Sequence, residues 1–213
     1  MKRKLKLGIG LLFWIMMAGP AWADDAKMTH LVFRFVDPNV AADHFALAPR
    51  EMWRLGTRYL RMEEPPDREK GLHGLVIIDE PHAYIINRTD NRGVHMVDPG
   101  PTFNVHMPIF PYPDTSEIHQ LEFGREVEFF ESHNAQPMPN VKAEGQRYQA
   151  RLLEIDDATL ILFTHEATGQ PAQLTLESKM DSYRVHYETY ETGLEPDMGQ
   201  FRVPAGVMIS DTE

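Results

Sequence analysis

The chain has 213 residues, with 32 Asp and Glu against 21 Lys and Arg, a net charge of −11, and no Cys. An acidic balance of this size repels phosphate backbones and anionic membrane faces, which argues against a nucleic-acid-binding role. Without Cys there is no disulfide framework, no thiol nucleophile and no cysteine for lipid modification.

Lys2, Arg3, Lys4 and Lys6 open the chain; an apolar run from Leu7 to Ala18 follows, then Gly19-Pro20 and Ala21-Trp22-Ala23. A charged start, a short apolar core and a small-x-small exit form the pattern of a secretory signal peptide. The run is shorter than the roughly 20 apolar residues that a spanning helix needs, and Asp24-Asp25 follow the breaker. The expectation is a signal peptide over 1–23, cleavage after Ala23, and a protein in the periplasm with no stable membrane anchor. The remaining 24–213 hold 190 residues at a net charge of −15, which suits a single domain with its own core.

Along that domain, alternation outweighs helical periodicity. His30–Val36 is rich in β-formers and stops at Asp37-Pro38-Asn39, a turn cluster. Val40–Ala48 is the best short helix, with Asn39 as its cap and Pro49 closing it. Trp53–Met62 reads as a strand ending at Glu63-Glu64-Pro65-Pro66. Leu72–Ile78 and Ala83–Arg88 read as strands around a hairpin turn at Asp79-Glu80-Pro81-His82, and Asn91-Arg92-Gly93 turns the chain into Val94–Val97. Ile118–Glu131 fits strand or helix, and periodicity does not decide between them. Arg147–Ile155, Thr159–His165, Ala172–Lys179 and Tyr183–Tyr190 are four strand-like runs with short connections. In the last, Tyr183, Val185 and Tyr187 share one face and Arg184, His186 and Glu188 the other, the pattern of a sheet with one wet side. Strands so closely spaced pair antiparallel, since parallel pairing needs crossover helices.

Asp98–Asp114 (DPGPTFNVHMPIFPYPD) breaks this rhythm, with five prolines among Phe103, Val105, Met107, Ile109, Phe110 and Tyr112. Proline removes ladder donors and fixes the backbone, so this is no central strand. Two readings stand. The apolar side chains plug one end of the core, or they form a lid or rim over a hydrophobic pocket. In the second reading Phe103, Met107, Ile109, Phe110 and Tyr112 contact the ligand.

No catalytic residue is assigned. None of Ser116, Ser132, Ser178, Ser182 or Ser210 sits in a nucleophile elbow, and 24–213 has no glycine-rich phosphate loop, so no cofactor is expected. The ten histidines are scattered without the spacing of a zinc site. His95, Asp98 and His106 bracket the proline-rich segment and would converge on a metal only if it folded back. Glu63-Glu64 and Asp79-Glu80 abut prolines at turns, where a solvated charge is the ordinary outcome. A pair of acids from distant strands, as in a glycosidase, would leave no mark in the sequence.

The carboxy-terminal third supplies a resemblance. Gly169 and Pro171, the aromatic-rich Tyr183–Tyr190, Pro196-Asp197, and Phe201, Pro204, Gly206 and Val207 resemble the end of the LolA-like periplasmic carriers. Earlier, RYLRMEEPP followed by GLVIIDEPHAYIIN is similar to that family's run of a basic-aromatic strand, a strand with a displayed turn, and a further strand. The resemblance implies a mainly β (α+β) fold: a strongly curved antiparallel sheet, an incomplete barrel, with a few short helices and loops covering its concave face. It also implies a non-enzymatic carrier of lipid or lipoprotein acyl chains, serving lipoprotein transport and outer membrane biogenesis, with an envelope delivery partner. Two alternatives stay open: a periplasmic hydrolase using dispersed carboxylates or histidines, and an envelope scaffold protein.

Overall fold

The structure is a computed structural model and describes residues 27–37, 39–41, 43–100, 104–179 and 181–212. The expected signal peptide and its cleavage site, and Phe103 in the proline-rich segment, lie outside the described residues.

Among the described residues, twelve strands form one open sheet. In chain order they are β1 (Met28–Phe35), β2 (Arg50–Leu55), β3 (Tyr59–Glu63), β4 (Gly74–Asp79), β5 (His82–Asn87), β6 (Arg92–Val97), β7 (Gln136–Ala143), β8 (Gln146–Ile155), β9 (Ala158–His165), β10 (Pro171–Ser178), β11 (Ser182–Leu194) and β12 (Met208–Asp211). In space the order is β12-β6-β5-β4-β3-β2-β1-β11-β10-β9-β8-β7, so two meanders join where β1 pairs β11. Every pairing is antiparallel except β12 on β6. The sheet is not closed into a barrel, since β12 and β7 are its two edges.

The helices among these residues are short: α1 (Glu126–Ser132) and three 3-10 turns at Phe45–Leu47, Glu117–Gln120 and Met198–Phe201. The helix expected over Val40–Ala48 is reduced to the first of these turns. Its cap is His44, whose Nδ1 accepts from Ala46 N at 3.1 Å, rather than Asn39. Pro49 leaves no room for a longer helix. The single strand expected over Trp53–Met62 is a hairpin, because Gly56 adopts φ +58 and turns β2 back into β3 with Leu55 opposite Tyr59. Two strands were not foreseen. β7 carries Pro137 and Pro139, which an edge strand with a bulge between Met138 and Val141 tolerates. β12 is four residues of exposed parallel edge.

Alternation sets the two faces of the sheet. Leu31 and Phe33, Met52, Leu60 and Met62, Val76 and Ile78, Val185 and Tyr187, Leu174 and Leu176, and Leu160 and Leu162 point to one side. The cover on that side is the segment around Val105, Ile109 and Phe110, then Ile118, Leu121 and Phe123, then Phe129 and Phe130 of α1. Val76 and Ile78 on β4 and Leu153 and Ile155 on β8 belong to this one core. Seven strand positions separate β4 from β8, roughly 33 Å if the sheet were flat. One continuous core thus runs beneath the sheet from β4 to β8.

The opposite face of β1–β5 is covered by the chain's end. Phe201 packs with Met28 and Leu55, and lies 5.5 Å from the Tyr59 ring. Val203 and Val207 cover Leu75, Ile77 and Ile86. The Phe201-x-x-Pro204-x-Gly206-Val207 string is thus a strap: its apolar residues pack down, and Gly206 at φ +84 turns the chain toward β12.

Candidate functional site

A cavity of about 190 Å³ opens on the inner face of the sheet. Its floor is Ile78 of β4, Ala83 of β5 and Met96 of β6; its rim is Glu80-Pro81 and Val97-Asp98-Pro99; its roof is Asn104, Val105 and His106. The cover thins toward this end of the sheet: Ile85, opposite Val76 on the inner face, and Val97 are both exposed.

The roof is fixed from below by a buried ion cluster. Arg54 projects from the inner face of β2 and donates to Gly56 O (3.0 Å), Phe123 O (3.3 Å) and Val105 O (3.2 Å). Its remaining partner is the Glu122 carboxylate at 2.5 Å, and Glu122 in turn holds His106 Nδ1. Burial pushes the Glu122 carboxyl up, but the hydrogen bonds and charges of His106 and Arg54 outweigh it and hold the group below its ordinary range. Backbone bonds complete the attachment: Val105 N to Thr57 O (2.7 Å), Ile109 N to Leu121 O (2.9 Å) and Phe123 N to Met107 O (3.1 Å).

The rim carries two acids. Glu80, expected at the turn as a solvated charge, is only 6% exposed. Burial raises its pKa, the nearby Asp98 raises it further, and Arg58 opposes both. Among the described residues, Glu80 Oε2 and Asp98 Oδ2 are buried without a hydrogen-bond partner. Asp98 is oriented by Asp98 N to Pro81 O (2.8 Å) and by Gly100 N donating to its Oδ1 (2.8 Å).

Among the residues expected to contact a ligand, Ile109 and Phe110 are buried in the main core, Phe110 with its ring 5.7 Å from Tyr183. Met107 and Tyr112 are partly buried and pack against the same core. Tyr112 also lines a second cavity of about 150 Å³ with Pro111, Pro113, Asp157, Ser178 and Asp181. The segment's upstream part, not its aromatic part, forms the roof of the first cavity. Asp98 and His106 line it, but for a different reason than metal binding.

His95, Asp98 and His106, which would converge on a metal only if the proline-rich segment folded back, have other partners or surroundings here. His95 Nε2 meets His82 Nδ1 at 3.0 Å and His95 Nδ1 meets Asp211 Oδ1 at 2.6 Å, while His106 is committed to Glu122. No group of three or more His, Asp or Glu among the described residues is arranged to hold a metal. Ala83, Met96 and Glu80 had no signal of their own. No helix among the described residues is long and apolar enough to cross a membrane.

No protein-family model matches the chain, and no curated protein matches it. Solved structures resemble it at low identity. An "uncharacterized conserved protein" from Thermus thermophilus is similar with a TM-score of 0.46 and 9% identity, over 87% of this chain and 91% of that one. MucB of Pseudomonas aeruginosa, in its complex with MucA, gives 0.42 and 14% identity, over 84% of this chain but only 56% of that one. A domain provisionally assigned as an outer membrane lipoprotein-sorting protein, from Vibrio parahaemolyticus, gives 0.33 and 9% identity, over 83% and 87%.

Proposed function

We propose that this chain is a non-enzymatic binding protein of the periplasm that holds a hydrophobic ligand, the acyl chain of a lipid or lipoprotein, against the inner face of its sheet. The observation that carries this reading is the cavity among Ile78, Ala83, Met96, Val97 and Val105. Apolar walls with a few polar groups at the mouth are what a ligand pocket of this class needs. At about 190 Å³ it is smaller than the roughly 300–1,000 Å³ of drug-sized sites, so it takes a chain end rather than a whole lipid. A longer chain would run on beneath the cover, where Met107, Ile109, Phe110 and Tyr112 would part from the core to line its path. Delivery to an envelope partner follows the same reading, with the resemblance to the LolA-like carriers as its support.

Native mass spectrometry of the protein purified from its own envelope tests this. A bound acyl species, displaced by added dodecanol, is the expected result. Protein that arrives empty and takes up no dodecanol overturns the reading.

A further inference from the structure

The walls of the cavity and the acids at its rim ask for different things from a ligand. Ile78, Ala83, Met96 and Val105 favour an aliphatic group. Glu80 and Asp98 line the same cavity, Glu80 nearly wholly buried, and Glu80 Oε2 and Asp98 Oδ2 are buried with no hydrogen-bond partner among the described residues. Two carboxyls so placed repel each other, and among the described residues these two oxygens lack the donors that buried acceptors require. Among the described residues, the cation turned toward Glu80 is Arg58, an exposed side chain that spends a donor on Glu80 backbone O at 2.9 Å. The orphaned oxygens thus form an acceptor site to which the described residues give no donor, at the edge of an apolar cavity.

We propose that the cavity binds a hydrophobic ligand bearing an alkylammonium group, with the aliphatic chain on Ile78, Ala83 and Met96 and the ammonium between Glu80 and Asp98. This rests on the cavity being a ligand site and names the class of ligand it selects. An ammonium has three donors and a compact charge, enough to satisfy both free oxygens at once and to remove their mutual repulsion. A carboxylate head would add a third negative charge and be rejected. A hydroxyl head would offer one donor and no charge.

The test compares n-hexylammonium, n-hexanol and hexanoate on the purified protein, by calorimetry and by the methyl resonances of Met96 and Ala83. The expected result is hexylammonium binding about tenfold or more tighter than hexanol, the usual gain of a charge-assisted pair over a neutral one, and hexanoate weakest. Glu80→Gln with Asp98→Asn should abolish the preference and leave hexanol binding in place. Since the preference is read on the unaltered protein, the inference stands or falls even if the double variant does not fold; Asp98→Asn alone, at a partly buried position, is the milder check. Hexanol binding equal to or tighter than hexylammonium, or hexanoate binding tightest, overturns the ammonium site and leaves the apolar pocket standing. Failure of all three probes to move the Met96 and Ala83 methyls overturns both.

Discussion

The Arg54 guanidinium and the Glu122 carboxylate meet at 2.5 Å beneath the segment that roofs the cavity, and both side chains are nearly buried. Each depends on the other, because a charge buried alone costs far more than the pair gains. Glu122→Gln should therefore destabilise the fold by about 3–5 kcal/mol, and Arg54→Met similarly, while the double variant Arg54→Met/Glu122→Leu should cost less than the two added. Urea denaturation of the four proteins checks this. Strict additivity would show that the pair is not coupled.

The same pair sets an acid limit. The Glu122 carboxyl is held below its ordinary 4.5 in the folded chain. A depressed carboxyl contributes stability that is fully present above the unfolded value and lost as pH falls through the folded one. The urea midpoint should then fall as pH drops below about 4.5, and that part of the acid loss should be missing in Glu122→Gln.

Glu126 should behave in the opposite sense. It is fully buried in α1 and is held by Tyr187 Oη at 2.7 Å and Tyr190 Oη at 2.5 Å. Burial raises its carboxyl above 4.5, more than the tyrosine hydrogen bonds lower it. A raised carboxyl contributes stability that is complete below the unfolded value and lost as pH rises through the folded one. Glu126→Gln should thus melt higher than the parent at pH 7, with the gap closing near pH 4. A variant that melts lower at both pH values would show that the ionised carboxylate is the preferred core partner.

How much of this was legible in the sequence depends on how far apart the deciding residues lie. Tyr183, Val185 and Tyr187 declared their strand and its mixed burial by alternation, and a local rule was enough. The proline content of Asp98–Asp114 ruled out a central strand for the same local reason. The Trp53–Met62 hairpin was missed because Gly56 sits in an otherwise continuous β-pattern, where only its positive φ reveals the turn. The cavity was invisible: Glu80, Met96, Asp98 and Val105 come from three separate stretches, and their meeting depends on β4, β5 and β6 pairing under a roof pinned from β2. The inward turn of Glu80 and the pairing of Arg54 with Glu122 depend on tertiary contacts that no periodicity encodes.

Export has a direct measurement of its own. Amino-terminal sequencing of protein from the periplasmic fraction should begin at Asp24, as the Ala21-Trp22-Ala23 exit implies. Recovery only with membranes, or an intact Met1, would exclude a freely diffusing carrier.

Phe110 and Val97 separate the two roles that the proline-rich segment and its approach combine. Phe110 is 1% exposed and packs in the main core beside Tyr183, so Phe110→Ala should lower stability by about 3–5 kcal/mol through the lost contacts and the cavity left behind. Val97 is 57% exposed on the cavity rim, so Val97→Ser should change stability by no more than about 0.5 kcal/mol. If the cavity holds an aliphatic chain, Val97→Ser should weaken dodecanol binding several-fold with the melting temperature nearly unchanged, because it removes apolar wall without touching the core. Phe110→Ala should do the reverse under conditions where it stays folded: a lower melting temperature with chain-end binding retained, since Phe110 does not line the cavity. A Val97→Ser protein that binds dodecanol like the parent would show that this rim makes no contact with the chain. The binding surface would then have to be sought beneath Met107 and Tyr112, where Phe110→Ala would weaken it.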